Sequence, residues 1–168
     1  MNNIQYLFPN NTQDKFKLME FVYENTSSFI MNTFGYVWEN RGWWDKFPIQ
    51  VYKTGDIIAG IHAFTVDAKG PGIIKTYYIV TGKPFRGCGI AKKLTMDILG
   101  EYKNTDKEYL VNSEESSDGV KFYKKLFNNN YKMEVNEFNT TDYIFRSPIK
   151  TFFKETQIKD DKRNINEL

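Results

Sequence analysis

An α/β fold, with a mixed sheet whose middle strands are each followed by a helix, is predicted by three features of this sequence. The first is a succession of strand, glycine turn and helix. An apolar, aromatic and β-branched run from Ile73 to Val80 leads into Pro84-Phe85-Arg86-Gly87-Cys88-Gly89, and a helical pattern runs from Ile90 to Tyr102. The second repeats that order: a short strand from Glu108 to Val111, a polar loop from Asn112 to Ser117, and a helix opening at Asp118. The third is a pair of hairpins, one from Ile49 to Val66 around Thr54-Gly55-Asp56 and one closing the fold, Tyr131 to Val135 with Tyr143 to Arg146.

Each remaining element follows from local chemistry. Asn11-Thr12-Gln13-Asp14 supplies an N-cap, and Phe16, Met19, Val22 and Tyr23 recur at helical spacing, so the first helix is expected over Gln13 to Phe29. The stretch from Ile30 to Phe47 has a poor period and reads as a loop with room for a short helix. Asp67 to Gly72 is turn chemistry ahead of the central strand. In the helix after the glycine turn, Ile90, Leu94 and Ile98 form one apolar row, with Ala91, Leu99 and Tyr102 beside it. In the next helix Val120, Tyr123, Leu126 and Phe127 share a face, and Asn128-Asn129-Asn130 ends it. Past Pro148 the chain turns charged and loses its pattern. One domain over residues 1–148 and a charged tail over 149–168 are therefore expected.

Composition narrows the function. With 23 Lys and Arg against 21 Asp and Glu, charge-driven nucleic-acid binding is disfavoured. A lone cysteine, Cys88, rules out an internal disulfide and fits a reducing compartment. Cys88 and His62 are the only strong nitrogen or sulfur ligands in the chain, so no metal is expected. No apolar run is long enough to span a membrane and the first residues lack a signal-peptide shape, which gives the expectation of a cytoplasmic protein with no membrane partner.

The glycine turn is an anion site by construction, because the first N–H groups of a helix lack internal partners and the helix dipole adds positive potential. A P-loop would need Gly-Lys-Ser/Thr, and Ala91-Lys92-Lys93 does not supply it. A dinucleotide fingerprint would need Gly or Ala where Lys92 stands. Arg86-Gly87-Cys88-Gly89-Ile90-Ala91 does satisfy Arg/Gln-x-x-Gly-x-Gly/Ala. One strand later, Phe122-Tyr123 lies on a helix behind a polar loop. With both motifs in order, the sequence resembles the GNAT superfamily of acetyl-coenzyme A dependent N-acetyltransferases. Three departures stand out: Ser116 where the family's loop carries Asn, Phe127-Asn128 where it carries Gly-Phe, and a longer connection through Gly82-Lys83-Pro84.

The resemblance implies a single-domain fold with a central, mixed, mostly antiparallel sheet flanked by helices. It also implies transfer of acetyl from acetyl-coenzyme A to a primary amine by direct attack. On it, Arg86, Gly87, Cys88, Gly89, Ile90, Ala91 and Lys92 hold the pyrophosphate, and the backbone of Ile79, Val80 and Thr81 serves the thioester carbonyl. Ser116 and Phe122 complete the cofactor contacts. Tyr123 matches the tyrosine that protonates the departing sulfur, and a phenol near a pKa of about 10 suits a thiolate near about 8–9. As an apolar-face aromatic it also reads as core.

No carboxylate stands between Ile73 and Val80, where many relatives place a base; Tyr77 and Tyr78 are there instead. Glu39, Asp45, Glu114 and Glu115 are alternative acids, each readable as simply solvated, and His62 on a hairpin strand reads as a structural imidazole. The substrate side is assigned to Trp38, Glu39, Trp43 and Trp44 of the aromatic loop with Tyr78, where rings can stack on a planar or cationic acceptor. A small-molecule or protein amine is the expected partner, and a homodimer is compatible with the sequence. Two other readings stay open. One is a binding module that no longer acetylates. The other is an enzyme modifying a nucleic-acid base, which Lys83, Lys92, Lys93, Lys121, Lys124 and Lys125 permit without requiring.

Overall fold

The computed structural model describes residues 3–26, 48–67, 71–115 and 119–154. Its strands are β1 (Ile4–Leu7), β2 (Ile49–Thr54), β3 (Ile57–Val66), β4 (Ile73–Thr81), β5 (Glu108–Glu114), β6 (Lys132–Val135) and β7 (Thr141–Pro148). They form one sheet in the order β1-β2-β3-β4-β5-β7-β6. Among the described residues the α-helices are α1 (Thr12–Asn25), α2 (Ile90–Glu101) and α3 (Gly119–Leu126). The mixed sheet with helices is the class the sequence predicts. The chain divides into two compact units, Met1–Thr65 with Thr76–Ile98, and Val66–Lys75 with Leu99–Leu168.

In the first unit, the Asn11 side chain caps α1 by accepting the Asp14 N–H at 3.0 Å, and the Asp14 carboxylate accepts the Phe8 N–H at 3.0 Å. The buried face of α1 is Leu18, Phe21, Val22 and Asn25, packed on Ile49, Val51, Ile61 and Ala63. This corrects the predicted row, because Phe16 and Tyr23 are 69% and 71% exposed. Two apolar rows compete on this helix, and the winning one ends in a polar residue, Asn25, which hides it from a hydrophobic count. Strand β1 carried no sequence signal of its own. It exists by pairing antiparallel with β2, Ile4 opposite Tyr52 and Leu7 opposite Ile49.

Strands β2 and β3 form the expected hairpin, with a register shift between Tyr52 and Lys53. The start of α2 settles through Ile90 and Leu94, which cluster with Ala59, Ile79 and Phe85. Gly60 is required there: a Cβ on it would lie 2.7 Å from Ile90 Cγ2.

The second unit is built on aromatic packing. Strand β5 pairs antiparallel with β7 along its whole length, Val111 opposite Phe145 and Glu114 opposite Asp142, so it outruns the predicted end at Val111. Tyr109 stacks on Phe127 at 5.4 Å between centroids, and Phe145 contacts Phe127 at 5.3 Å and Tyr123 at 5.7 Å. Past Pro148 the chain forms a 3₁₀ turn over Ile149–Phe153. Ile149 is fully buried, its N–H donates to the Lys107 carbonyl at 3.0 Å, and Phe152 meets Phe127 edge-on. Of the charged tail expected over 149–168, the residues from 155 onward lie outside the described residues.

Candidate functional site

The turn between β4 and α2 is built from tethers and glycines. At its entry the Gly82 N–H donates to the Ala59 carbonyl at 2.8 Å, and Lys83–Phe85 form a 3₁₀ turn begun by proline chemistry. Gly87 and Gly89 then take φ of 81° and 76°, the left-handed region where a side chain is strained. Among the described residues, a Cβ on either would meet nothing within 4 Å. Glycine is therefore needed for backbone conformation, and no described residue fills the space above the turn. The first internal bond of α2 runs from the Lys93 N–H to the Gly89 carbonyl at 3.0 Å, which leaves the N–H groups of Ile90, Ala91 and Lys92 without helical acceptors. Arg86, Gly87, Cys88, Gly89 and Lys92 are exposed, while Ile90 is buried as the anchor.

This arrangement suits an anion with several oxygens. Unpartnered N–H groups, the positive end of a twelve-residue helix, and the ammonium groups of Lys92 and Lys93 all lie within one stretch. The open volume over Gly87 and Gly89 fits the close backbone approach that a pyrophosphate requires. Cys88 is a free, exposed thiol.

Residues of β4 divide by face. Tyr78 and Val80 pack against the α1 cluster, and Ile79 joins the Ile90 and Leu94 cluster. Burial raises the Tyr78 phenol above its ordinary pKa. Below them lies a buried polar chain that the sequence reading touched only through His62. Gln50 Nε2 donates to Asp97 Oδ2 at 2.8 Å, so Gln50 Oε1 is the acceptor facing His62 Nδ1 at 2.9 Å. That fixes the imidazole as the Nδ1–H tautomer, and His62 Nε2 accepts the Thr76 hydroxyl at 2.8 Å. Burial lowers the His62 pKa to about 3, so the ring is neutral. The structural reading of this histidine holds.

In the second unit, Tyr123 is 4% exposed, edge-on to Phe122 at 5.1 Å. Burial, then the nearby Tyr109, raise its phenol well above the ordinary value. Glu114 and Glu115 are exposed at the end of β5. Trp38, Glu39, Trp43, Trp44, Asp45 and Ser116 lie outside the described residues. Among the described residues no cluster of His, Cys, Asp and Glu could hold a metal ion, and no helix is long and apolar enough to cross a membrane.

The sequence reading missed Asn25, Gln50, Thr76 and Asp97. Each is a polar residue inside an apolar pattern, and that interruption is the only signal the sequence offers for them.

Comparison with known proteins turns on shape, since no protein-family model and no curated protein matches the chain. Solved structures do match. A protein assigned to the GNAT acetyltransferase family from Desulfovibrio desulfuricans superposes with a TM-score of 0.66 at 10% identity, over 87% of this chain and 98% of the other. The ribosomal-protein-S18-alanine N-acetyltransferase from Escherichia coli gives 0.62 at 14% identity, over 89% and 94%. An aminoglycoside 6'-N-acetyltransferase complexed with coenzyme A gives 0.60 at 13% identity, over 87% and 96%. The fold is that of the GNAT acetyltransferases.

Proposed function

We propose that this chain transfers an acetyl group from acetyl-coenzyme A to a primary amine. The observation that carries the reading is the glycine turn: two positive-φ glycines under open space, followed at once by the unpartnered N–H groups of α2, within a GNAT fold. Solved structures of the same shape include enzymes named for alanine and aminoglycoside N-acetylation, which supports an amine as the acceptor.

In this reading the N–H groups of Ile90, Ala91 and Lys92 hydrogen-bond the pyrophosphate. Arg86, Gly87, Cys88 and Gly89 bring the backbone close to it, and the helix dipole adds to the attraction. The backbone of Ile79, Val80 and Thr81 holds the thioester end. Ser116 and Phe122 complete the coenzyme contacts. Tyr123 Oη keeps its proton for the departing thiolate sulfur. Its raised pKa keeps that proton in place throughout the neutral range. Trp38, Glu39, Trp43, Trp44 and Tyr78 form the acceptor side. With no acid among the β4 side chains, the amine proton leaves either through a water chain or to one of Glu39, Asp45, Glu114 and Glu115.

One observation favours a second reading, a coenzyme-binding module without turnover: β4, from Ile73 to Thr81, carries no carboxylate. Thiol release from acetyl-coenzyme A with a panel of primary amines separates the two. Release that depends on the amine supports transfer; binding without release on any amine favours the module.

A further inference from the structure

Among the described residues, α1 tethers the entry of the glycine turn through Asn25 alone, by its side chain and by its backbone carbonyl. Asn25 closes α1 and is nine-tenths buried among the apolar residues of that face. Its Nδ2 donates to the Phe21 carbonyl at 2.8 Å, which fixes the amide plane and turns Oδ1 toward the turn. Asn25 Oδ1 then accepts the Lys83 N–H at 2.9 Å. Its backbone carbonyl, an orphan at the negative end of α1, accepts an N–H of the Arg86 guanidinium at 3.2 Å. A buried amide with this many satisfied groups in an apolar row is costly to place by chance.

We infer that Asn25 is a positioning residue for the anion-binding turn, holding the entry segment Lys83 to Arg86 in place so that the N–H groups beyond it are preorganised. The need is physical. Gly87 and Gly89 give the turn its shape and also its freedom, since glycine loses more backbone entropy on ordering than any other residue. A cradle made of such residues binds well only when its ends are fixed. The far end is fixed by the bond from Lys93 to Gly89 and by buried Ile90. At the near end, Gly82 is held by Ala59, Phe85 by the Gly82 carbonyl, and Lys83 and Arg86 by Asn25. The contact with Arg86 also revises that residue's role. One face of its guanidinium is engaged by the helix end, so it acts first as a strut and only then as charge for an anion.

The inference rests on the coenzyme reading for its ligand but not for its mechanics, and the test separates them. Amide hydrogen exchange of the peptide covering residues 82–92 is compared between wild type and Asn25→Ala, with the β5 peptide as internal control, alongside calorimetric titration with acetyl-coenzyme A. Faster exchange confined to 82–92, with affinity weakened about tenfold, is the expected result. Asn25→Asp keeps an acceptor for Lys83 but loses the donor to the Phe21 carbonyl and buries a charge, so its protection and affinity should fall between those of Asn25→Ala and wild type. Should Asn25→Ala not fold, Asn25→Ser keeps a small polar group that cannot span to Lys83 and serves instead. Unchanged exchange and unchanged affinity in a folded variant overturn the inference. Wild-type protein that binds no acetyl-coenzyme A overturns the coenzyme reading, while the exchange result still decides whether Asn25 holds the turn.

Discussion

Two helices of this molecule carry the motif residues, and they present them in opposite ways. The entry to α2 is exposed backbone: Gly87 and Gly89 have open space above them and contribute shape with no side chain. The motif on α3 is buried side chain: Tyr123 sits with Phe122 and Phe145 and is part of the aromatic core. Residues of the first kind can be altered with modest effect on the fold and large effect on a ligand. Residues of the second kind answer to packing as well as to chemistry, so their substitution must be read through both. The contrast also explains why a glycine pattern is the cleaner sequence signal. Positive φ at two alternate positions has few uses, whereas an aromatic on an apolar helix face has many.

The sharpest way to break the contrast is Gly89→Glu. It places charge and bulk in the open space, and acetyl-coenzyme A affinity should fall more than about a hundredfold. Gly89→Ala isolates the backbone term. With no atom to clash against, it should cost about 1–2 kcal/mol of stability through strained φ alone, read from denaturant melts. A much larger loss would mean the turn is not open.

On α3 the pair of variants works the other way. Tyr123→Ala should cost about 3–5 kcal/mol of stability because the ring is core. Tyr123→Phe removes only Oη, should leave the melt near wild type, and should lower kcat about a hundredfold if that proton serves the thiolate. The phenol's pKa is raised, so it remains the donor as pH climbs, and no alkaline fall in rate near pH 10 should trace to this group. Such a fall, absent in Tyr123→Phe, would contradict the raised pKa while still tracing the proton to Tyr123.

The buried chain from Thr76 through His62 and Gln50 to Asp97 gives a stability signature that neither helix motif has. The folded His62 pKa is about 3 against about 6.5 unfolded, so the unfolded state binds the extra proton first on acidification. Stability from this group is fully present above about pH 6.5 and is lost toward pH 3, at about 1.4 kcal/mol per pH unit. Melts of wild type and His62→Gln across that window should converge as pH falls. The smallest effect belongs to the exposed pair of Arg146 and Glu108 at 2.9 Å, where Arg146 holds the carboxyl below its ordinary pKa. Glu108→Gln should leave the melting temperature unchanged within error.

Most of the architecture was legible because period and turn chemistry agreed with tertiary packing. Strands β2, β3 and β4, helix α2 and the closing hairpin all fall near their predicted bounds. Where the reading failed, long-range pairing or a polar residue had decided the outcome. β1 is four residues that gain their conformation only from β2, and the α1 face turned toward Leu18 and Phe21 because those side chains meet Ile49, Val51 and Ile61. In the site, the glycine turn could be read from one segment, since its conformation is local. Asn25 could not, because its meaning lies in Lys83 and Arg86, about sixty residues away along the chain.

Acetyl transfer by this chain requires that the turn from Arg86 to Lys92 hold the phosphates of acetyl-coenzyme A. Titration calorimetry of the folded 168-residue chain tests this most directly. Saturable, one-to-one binding in the micromolar range, lost in Gly89→Glu, is the expected result. Heats indistinguishable from dilution at high micromolar acetyl-coenzyme A, with the protein still folded, would contradict it.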